Sequence, residues 1–205
     1  MKTRIFIEDG LHQLGIKFTP KQVNQLETYV EQLIKWNKVY NLTAITEPKN
    51  IIVQHIFDSL SINQEILCGK YILDVGTGAG FPGMALAIFN PNKLFYLVDG
   101  VSKKTTFLRD LQGRLGLKNI NIYHAKVENL HLDHEMDLIV SRAFAEIKKM
   151  IELTKHLLKK TGSFLAMKGP SYEKELLDME LNRISVIPLN IPMYDGVRNL
   201  IKIDK

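Results

Sequence analysis

Apolar and polar positions divide the chain into two regions with different periods. Up to about residue 65 apolar residues recur at helical spacing, with no convincing strand alternation. Val23, Leu26, Val30, Leu33 and Ile34 fall on one face of an amphipathic helix. Thr19 followed by Pro20 supplies its start: a side-chain acceptor for orphan backbone N–H groups, then a residue with no N–H to satisfy. Residues 36–43 end it, and Glu47–Pro48 opens a further segment carrying His55 and Asp58 on successive turns. From residue 70 the pattern changes. Strands are expected near 71–75, 94–98, 120–124, 137–141 and 163–168, with helices near 83–89, 102–115 and 145–160 between them. This alternation predicts a parallel sheet covered on both faces, joined by right-handed crossovers. Apolar runs at 184–187 and 199–203 predict a terminal antiparallel pair and leave no second βαβαβ half.

The candidate chemistry sits at residues 74–83, DVGTGAGFPG, between two apolar runs. An apolar strand, a glycine-rich turn and a helix start with Pro82 in its first turn form a cradle for a nucleotide or nucleoside. Residues 78–83 match the G-x-G-x-x-G dinucleotide fingerprint, so a nicotinamide or flavin site must be weighed. The acid two places before Gly76 points elsewhere. Asp74-x-Gly76-x-Gly78-x-Gly80 resembles the first motif of class I S-adenosylmethionine-dependent methyltransferases, in which the acid orients loop and cofactor. Asp99 ends the next apolar strand, where a carboxylate accepts both hydrogen bonds of a ribose diol. NAD enzymes use a similar acid, so Asp99 supports an adenosine-type ligand without choosing the cofactor. The expected architecture is a Rossmann-like α/β domain over residues 66–205, with a mostly parallel seven-stranded sheet ending in an antiparallel hairpin. Residues 1–65 form an N-terminal helical extension.

A chain of 205 residues, 45% apolar, suits one such domain with a modest extension. It has no run of 18 apolar residues and no signal-peptide core, so a soluble, cytoplasmic protein without a membrane partner is expected. The single Cys68 excludes an internal disulfide and a cysteine-rich zinc site, and no metal is expected. A net charge of +5 favours a polyanionic partner such as RNA. Lys148, Lys149, Lys155, Lys159 and Lys160, opposed only by Glu152, form either a phosphate-contacting patch or a solvated helix face.

The segment after the fourth strand faces the transferred methyl group, because ligands sit at the carboxyl ends of parallel strands. It reads Ser141-Arg142-Ala143-Phe144 and lacks the Asp/Asn-Pro-Pro-aromatic motif of amino-group methyltransferases. Carbon-5 pyrimidine enzymes need a cysteine nucleophile, and Cys68 lies before the glycine loop. Ribose 2′-oxygen enzymes use a Lys-Asp-Lys-Glu set, for which Lys168 is the one evident member. Guanine N7 needs none of this equipment. It has an in-plane lone pair and no proton to lose, so positioning carries most of the catalysis.

Several separated segments coincide with one family. They are Trp36-Asn37-Lys38, Asn41-Leu42-Thr43, residues 55–60 (HIFDSL), the glycine loop, Lys103-Lys104 before Phe107-Leu108, Ser141-Arg142-Ala143, Lys168-Gly169 and Gly196-x-Arg198-x-Leu200. Together they resemble the bacterial ribosomal RNA small subunit methyltransferase G family, also called glucose-inhibited division protein B, over about residues 20–203. The resemblance implies S-adenosylmethionine as cofactor and N7 methylation of one guanine in 16S rRNA, conventionally guanine 527 in the 530 loop. The expected partner is 16S rRNA, the small ribosomal subunit or an assembly intermediate, and the expected state a monomer. By matching position the cofactor site includes Gly76, Phe81, Val127, Glu128 and Arg142, beside Asp74, Gly78, Gly80 and Asp99. Arg142 and Lys168 are the expected catalytic pair.

Each residue also has a plainer reading. Phe81 either packs the helix start or touches the cofactor, and Glu128 is a cofactor contact or a solvated acid. Arg142 is a site residue or half of a structural ion pair, while Lys168 meets phosphate or base, or only solvent. His55 and Asp58 either brace the extension or line the target pocket, and Trp36 reads as a packing anchor. The family commonly has Asp-Ser where this chain has Asp99-Gly100, which removes a hydroxyl beside the ribose acid. Two other functions compete: a noncatalytic RNA-binding or regulatory protein that keeps the pocket, and an NAD-dependent oxidoreductase. The intact acid-glycine loop with Asp99 speaks against the first.

Overall fold

A computed structural model of the chain describes residues 2–177, 179 and 183–205. Seven strands form one sheet: β1 Tyr71–Val75, β2 Leu94–Asp99, β3 Ile120–His124, β4 Met136–Arg142, β5 Leu158–Lys168, β6 Ile184–Pro188 and β7 Asn199–Asp204. Their order is β3-β2-β1-β4-β5-β7-β6. The first five are parallel, and β7 runs antiparallel to both β5 and β6. Successive apolar residues go to opposite faces. Ile72, Leu97, Val140 and Leu165 pack on one side, and Leu73, Val75, Val98 and Ile139 on the other. A strand buried on both faces therefore reads as an unbroken apolar run. The order reverses between β1 and β4, which opens a crevice at their carboxyl ends.

The helices are α1 Lys2–Gln13, α2 Pro20–Tyr40, α3 Pro48–Ile51, α4 Asp58–Leu60, α5 Gly83–Phe89, α6 Ser102–Leu115, α7 Ile147–Thr154 and α8 Glu173–Leu176. Helix α2 begins as its sequence predicts, with a capping box: Gln22 N–H donates to the Thr19 hydroxyl, and Thr19 N–H donates to the Gln22 side chain. Val23, Leu26, Val30 and Leu33 are buried and Ile34 is partly buried against the same core. That core also takes in α1, α5, α6 and one face of the sheet, so the N-terminal helices have no separate apolar centre. Between α3 and α4 the chain makes a π-helical turn, Ile52–Phe57. Such a turn re-aims side chains within a helix and is frequent at functional sites. Here it carries His55.

The helix expected over 145–160 stops at Thr154, and β5 begins at Leu158, earlier than the expected 163. Leu158 pairs with Met136, and the register then shifts before Ser163 pairs with Leu138. This irregularity breaks the alternation that would have marked a strand. The five lysines consequently do not share a helix face. Lys148 and Lys149 are exposed on α7, Lys159 is ion-paired with Asp137, and Lys160 lies on the strand. Among the described residues no helix is long and apolar enough to cross a membrane, and no group of His, Cys, Asp and Glu is placed to hold a metal ion.

Candidate active site

The loop from β1 to α5 is built around Asp74. Its fully buried carboxylate accepts the Thr77 hydroxyl and the Gly83 N–H at 2.7 Å each through Oδ2. The other oxygen, Oδ1, is buried without a hydrogen-bond partner. Burial raises its pKa to about 6, against the lowering effect of those two bonds. A Cβ at Gly83 would lie 2.8 Å from Asp74 Oδ2, so only glycine brings its N–H this close. Gly76, Gly78 and Gly80 have φ of +67°, +61° and +100°, the left-handed backbone that glycine adopts readily. Gly80 packs inward: its missing Cβ would meet the Tyr29 hydroxyl at 2.5 Å. Asp74 and Gly80 thus shape the loop from behind.

In front of the loop lies a cavity of about 390 Å³, lined by Gly76, Asp99, Gly100, Lys104, Val127, Glu128, Ala143 and Phe144, among others. Asp99 Oδ2 accepts the Gly78 N–H, and Oδ1 accepts the Val101 N–H, both at 2.9 Å. Lys104 Nζ also stands 3.5 Å from Oδ2, while Oδ1 keeps a further lone pair for a ligand hydroxyl. Val127 is buried and opens a 3₁₀ turn after β3, with Glu128 exposed beside it. A Cβ at Gly100 would meet only Ala125 O, at 4.0 Å, so a serine would fit there without displacing anything. An acid at a strand end, a close-approach glycine and an apolar wall after the third strand fit an adenosine-type ligand. Of the residues expected at the cofactor, Gly76, Asp99, Val127 and Glu128 line this cavity.

Phe81 and Arg142 lie elsewhere. Phe81 is nearly fully buried and sandwiched between Tyr29, at a ring distance of 4.8 Å, and His55, at 4.7 Å. The Tyr29 hydroxyl donates to the Ala79 carbonyl at 2.7 Å, fastening the glycine loop to α2. The Arg142 guanidinium sits 5.3 Å from the Phe81 ring and lines a second cavity, of about 360 Å³. His55, Asp58, Lys168, Gly169 and Arg198 line it too, and Ala143 is common to both cavities. Ala143 itself has φ of +53°, a strained value for a residue with a Cβ.

Arg142 is held by three partners. Nη1 donates to Gln54 O and Asp58 Oδ2 at 2.8 Å each, and Nη2 donates to His55 Nδ1 at 2.9 Å. Arginine has no acceptor, so Nδ1 must accept and the imidazole is neutral, with its proton on Nε2 directed to Thr43 Oγ1 at 2.8 Å. Burial, and then the charge of Arg142, lower the His55 pKa to about 3. Asp58 Oδ1 makes no aligned hydrogen bond but lies 3.3 Å from Arg198 Nε, so one buried carboxylate joins two guanidiniums. The Lys168 ammonium donates to Ala145 O at 2.8 Å and to Glu175 Oε2 at 2.7 Å. Glu175 also accepts the Ile147 N–H at the start of α7. Cys68 is exposed before β1, away from the crevice.

Residues 22–201 match the family of rRNA small subunit methyltransferase G. The chain belongs to this family. It is therefore a methyltransferase, and the oxidoreductase alternative falls. A ribosomal RNA small subunit methyltransferase G of Psychromonas ingrahamii is 41% identical over 197 residues, covering 95% of each chain. The enzyme of the same name from Francisella philomiragia is 42% identical over 200 residues, 97% of this chain and 96% of its own. Among solved structures, a SAM-dependent methyltransferase from Aquifex aeolicus superposes with a TM-score of 0.58 at 21% identity, covering 83% of this chain and 96% of that one. A tRNA (m1A58) methyltransferase from the same organism gives 0.59 at 14% identity, over 73% of this chain and 68% of its own. These likenesses establish the class I S-adenosylmethionine-dependent methyltransferase fold that the glycine loop and terminal hairpin predict.

In this methyltransferase the same residues have more than one neighbour. Phe81 packs, and His55 and Asp58 both brace Arg142 and line the second cavity. Tyr29 and Glu175 escaped the sequence reading. Tyr29 interrupts the helix stripe as one more apolar position, and nothing local marks Glu175 as a partner of Lys168.

Proposed function

We propose that this chain methylates N7 of a guanine in 16S rRNA, guanine 527 of the 530 loop, using S-adenosylmethionine. It acts as a cytoplasmic monomer on the rRNA, the small subunit or an assembly intermediate. The cofactor, when bound, supplies a methyl group activated on a positively charged sulfur. Asp99 takes the ribose hydroxyls, the Gly76 backbone allows close approach, and Val127 with Glu128 borders the adenine. Asp74, Gly78 and Gly80 hold the loop in shape, with Phe81 packed behind them. The helices before about residue 65 wall the target side.

The observation that carries this reading is that, among the described residues, no group at the second cavity is placed to take a proton, the unbonded Asp58 Oδ1 being buried. Both His55 nitrogens are engaged, and the ring resists protonation down to about pH 3. Asp58 is enclosed by Arg142 and Arg198, and Lys168 donates to Ala145 and Glu175. An exocyclic amine or a ribose hydroxyl has to lose a proton on methylation, whereas guanine N7 does not. Arg142 and Lys168 accordingly position the site: Arg142 fixes the floor of the cavity, and Lys168 ties the segment after β4 to the end of β5.

The test is mass mapping of 16S rRNA from cells with and without the gene. A single N7-methylguanine should disappear on deletion. Loss of a methyl group from a 2′-oxygen or an exocyclic amine, or an unchanged map, would overturn the assignment.

A further inference from the structure

We propose that Arg198 is the specificity-determining residue for the target base, donating to guanine O6 while N7 stays free; this rests on the N7 reading above. Three cations line the second cavity. Arg142 has five N–H groups and directs three of them at Gln54, Asp58 and His55. The Lys168 ammonium is taken up by Ala145 and both oxygens of Glu175. Arg198 is the least committed. Nε faces Asp58 and Nη1 donates to its neighbour Val197 O at 3.3 Å. Among the described residues no acceptor engages Nη2.

Arg198 is also held in place. Its guanidinium lies 5.0 Å from the Tyr194 ring, and that ring covers Gly196, where a Cβ would be 2.4 Å from Tyr194 Cζ. Asp58 anchors the other side at 3.3 Å, and the side chain is 28% exposed, against 59% for Lys149. Peripheral phosphate contacts suit mobile, exposed lysines. A guanidinium fixed on a buried carboxylate suits an edge with defined geometry.

The reaction restricts which edge atom is read. Guanine N7 and O6 lie side by side, and both are acceptors. A donor placed on N7 would occupy the lone pair that must reach the methyl carbon, so recognition has to fall on O6. The second cavity meets the cofactor cavity at Ala143, and a base with N7 turned toward that shared wall presents O6 along the same edge. Adenine carries an amine donor at the O6 position, and an N–H fork facing it leaves both sides unpaired.

The experiment is single-turnover methylation of small-subunit particles reconstituted around semisynthetic 16S rRNA with guanine or 2-aminopurine at the target position. 2-Aminopurine keeps N7 and lacks O6. Arg198→Gln should slow methylation of the guanine particle about thirtyfold, as expected for one hydrogen bond to a charged group. The wild type should slow comparably on 2-aminopurine, and Arg198→Gln should add less than about twofold there. The same loss on both particles would place Arg198 on a phosphate or in the fold only, and overturn the proposal. So would no loss on guanine. Titration with S-adenosylhomocysteine checks that the variant is folded; if it is not, Arg198→Lys keeps the charge beside Asp58, removes the fork and should show the same non-additivity. Failure of the wild type to methylate N7 in the guanine particle would instead strike the underlying N7 reading.

Discussion

Replacing His55 with Gln should change how the fold responds to acid, and the size of the change follows from the geometry. The folded ring titrates at about 3, against 6.5 for an unburied histidine. Above pH 6.5 both states are neutral and the histidine contributes no pH dependence. Below it the unfolded chain takes up a proton that the fold refuses, so stability falls until the pH passes about 3. At 1.36 kcal/mol per unit the full loss is at most about 5 kcal/mol. Asp74 acts in the opposite sense. Its folded pKa of about 6 stands above the ordinary 3.8, so its contribution is fully present below 3.8 and lost as the pH rises through 6. That swing is about 3 kcal/mol. Between pH 6 and 4 the two slopes nearly cancel in the wild type. In His55→Gln the Asp74 term stands alone, and stability should rise by about 3 kcal/mol relative to wild type as the pH falls through that window. Asp74→Asn should fall by a similar amount. Urea unfolding followed by the fluorescence of the single Trp36, which packs 5.5 Å from Phe107, measures this directly. A His55→Gln profile parallel to that of the wild type would refute the neutral, arginine-facing imidazole.

Three further outcomes are expected. Asp99→Ala should weaken S-adenosylmethionine binding by about 1.5–3 kcal/mol in calorimetry, and unchanged affinity would remove Asp99 from the ribose role. Tyr29→Phe leaves the Ala79 carbonyl without its buried donor and should lower stability by about 1–2 kcal/mol in urea titrations; an unchanged midpoint would mean that the glycine loop is held without this bond. Neutralising Lys148 and Lys149 together should lower the slope of log affinity for 16S rRNA against log salt by about two units, while Lys159→Gln, whose lysine is occupied by Asp137, should leave it unchanged. An unaltered slope in the double variant would make α7 a solvated face.

The sheet was legible because its central strands are buried on both faces and so appear as apolar runs, and because Thr19-Pro20 is a local signal for a local event. The bulge in β5 was not, since Leu158 belongs to the sheet through Met136, a partner outside its own run. The glycines misled in a specific way. A glycine that admits a ligand and one that admits a neighbouring side chain look identical in sequence: Gly76 borders the cavity, yet its missing Cβ would meet the Phe144 ring at 2.4 Å, and Gly80 fits under Tyr29. Single site residues could be picked out from strand ends, but their pairing could not. Asp58 and Arg142 meet from 84 residues apart, and Arg198 joins them from a third stretch of chain. Such a cluster exists only once the sheet order has brought the ends of β4 and β7 beside the π-helical turn.

The stack of Tyr29, Phe81 and His55 draws one ring from each of three distant stretches, and the rings touch face to face. Phe81 is bounded on both faces, so a change in its size has to be absorbed by Tyr29 or by His55. A glycine loop transplanted from another methyltransferase would bring its nucleoside chemistry but lose its seat against α2 and its hold on Arg142. The helical extension is in that sense one wall of the glycine loop's own seat, and its apolar residues share one core with the sheet.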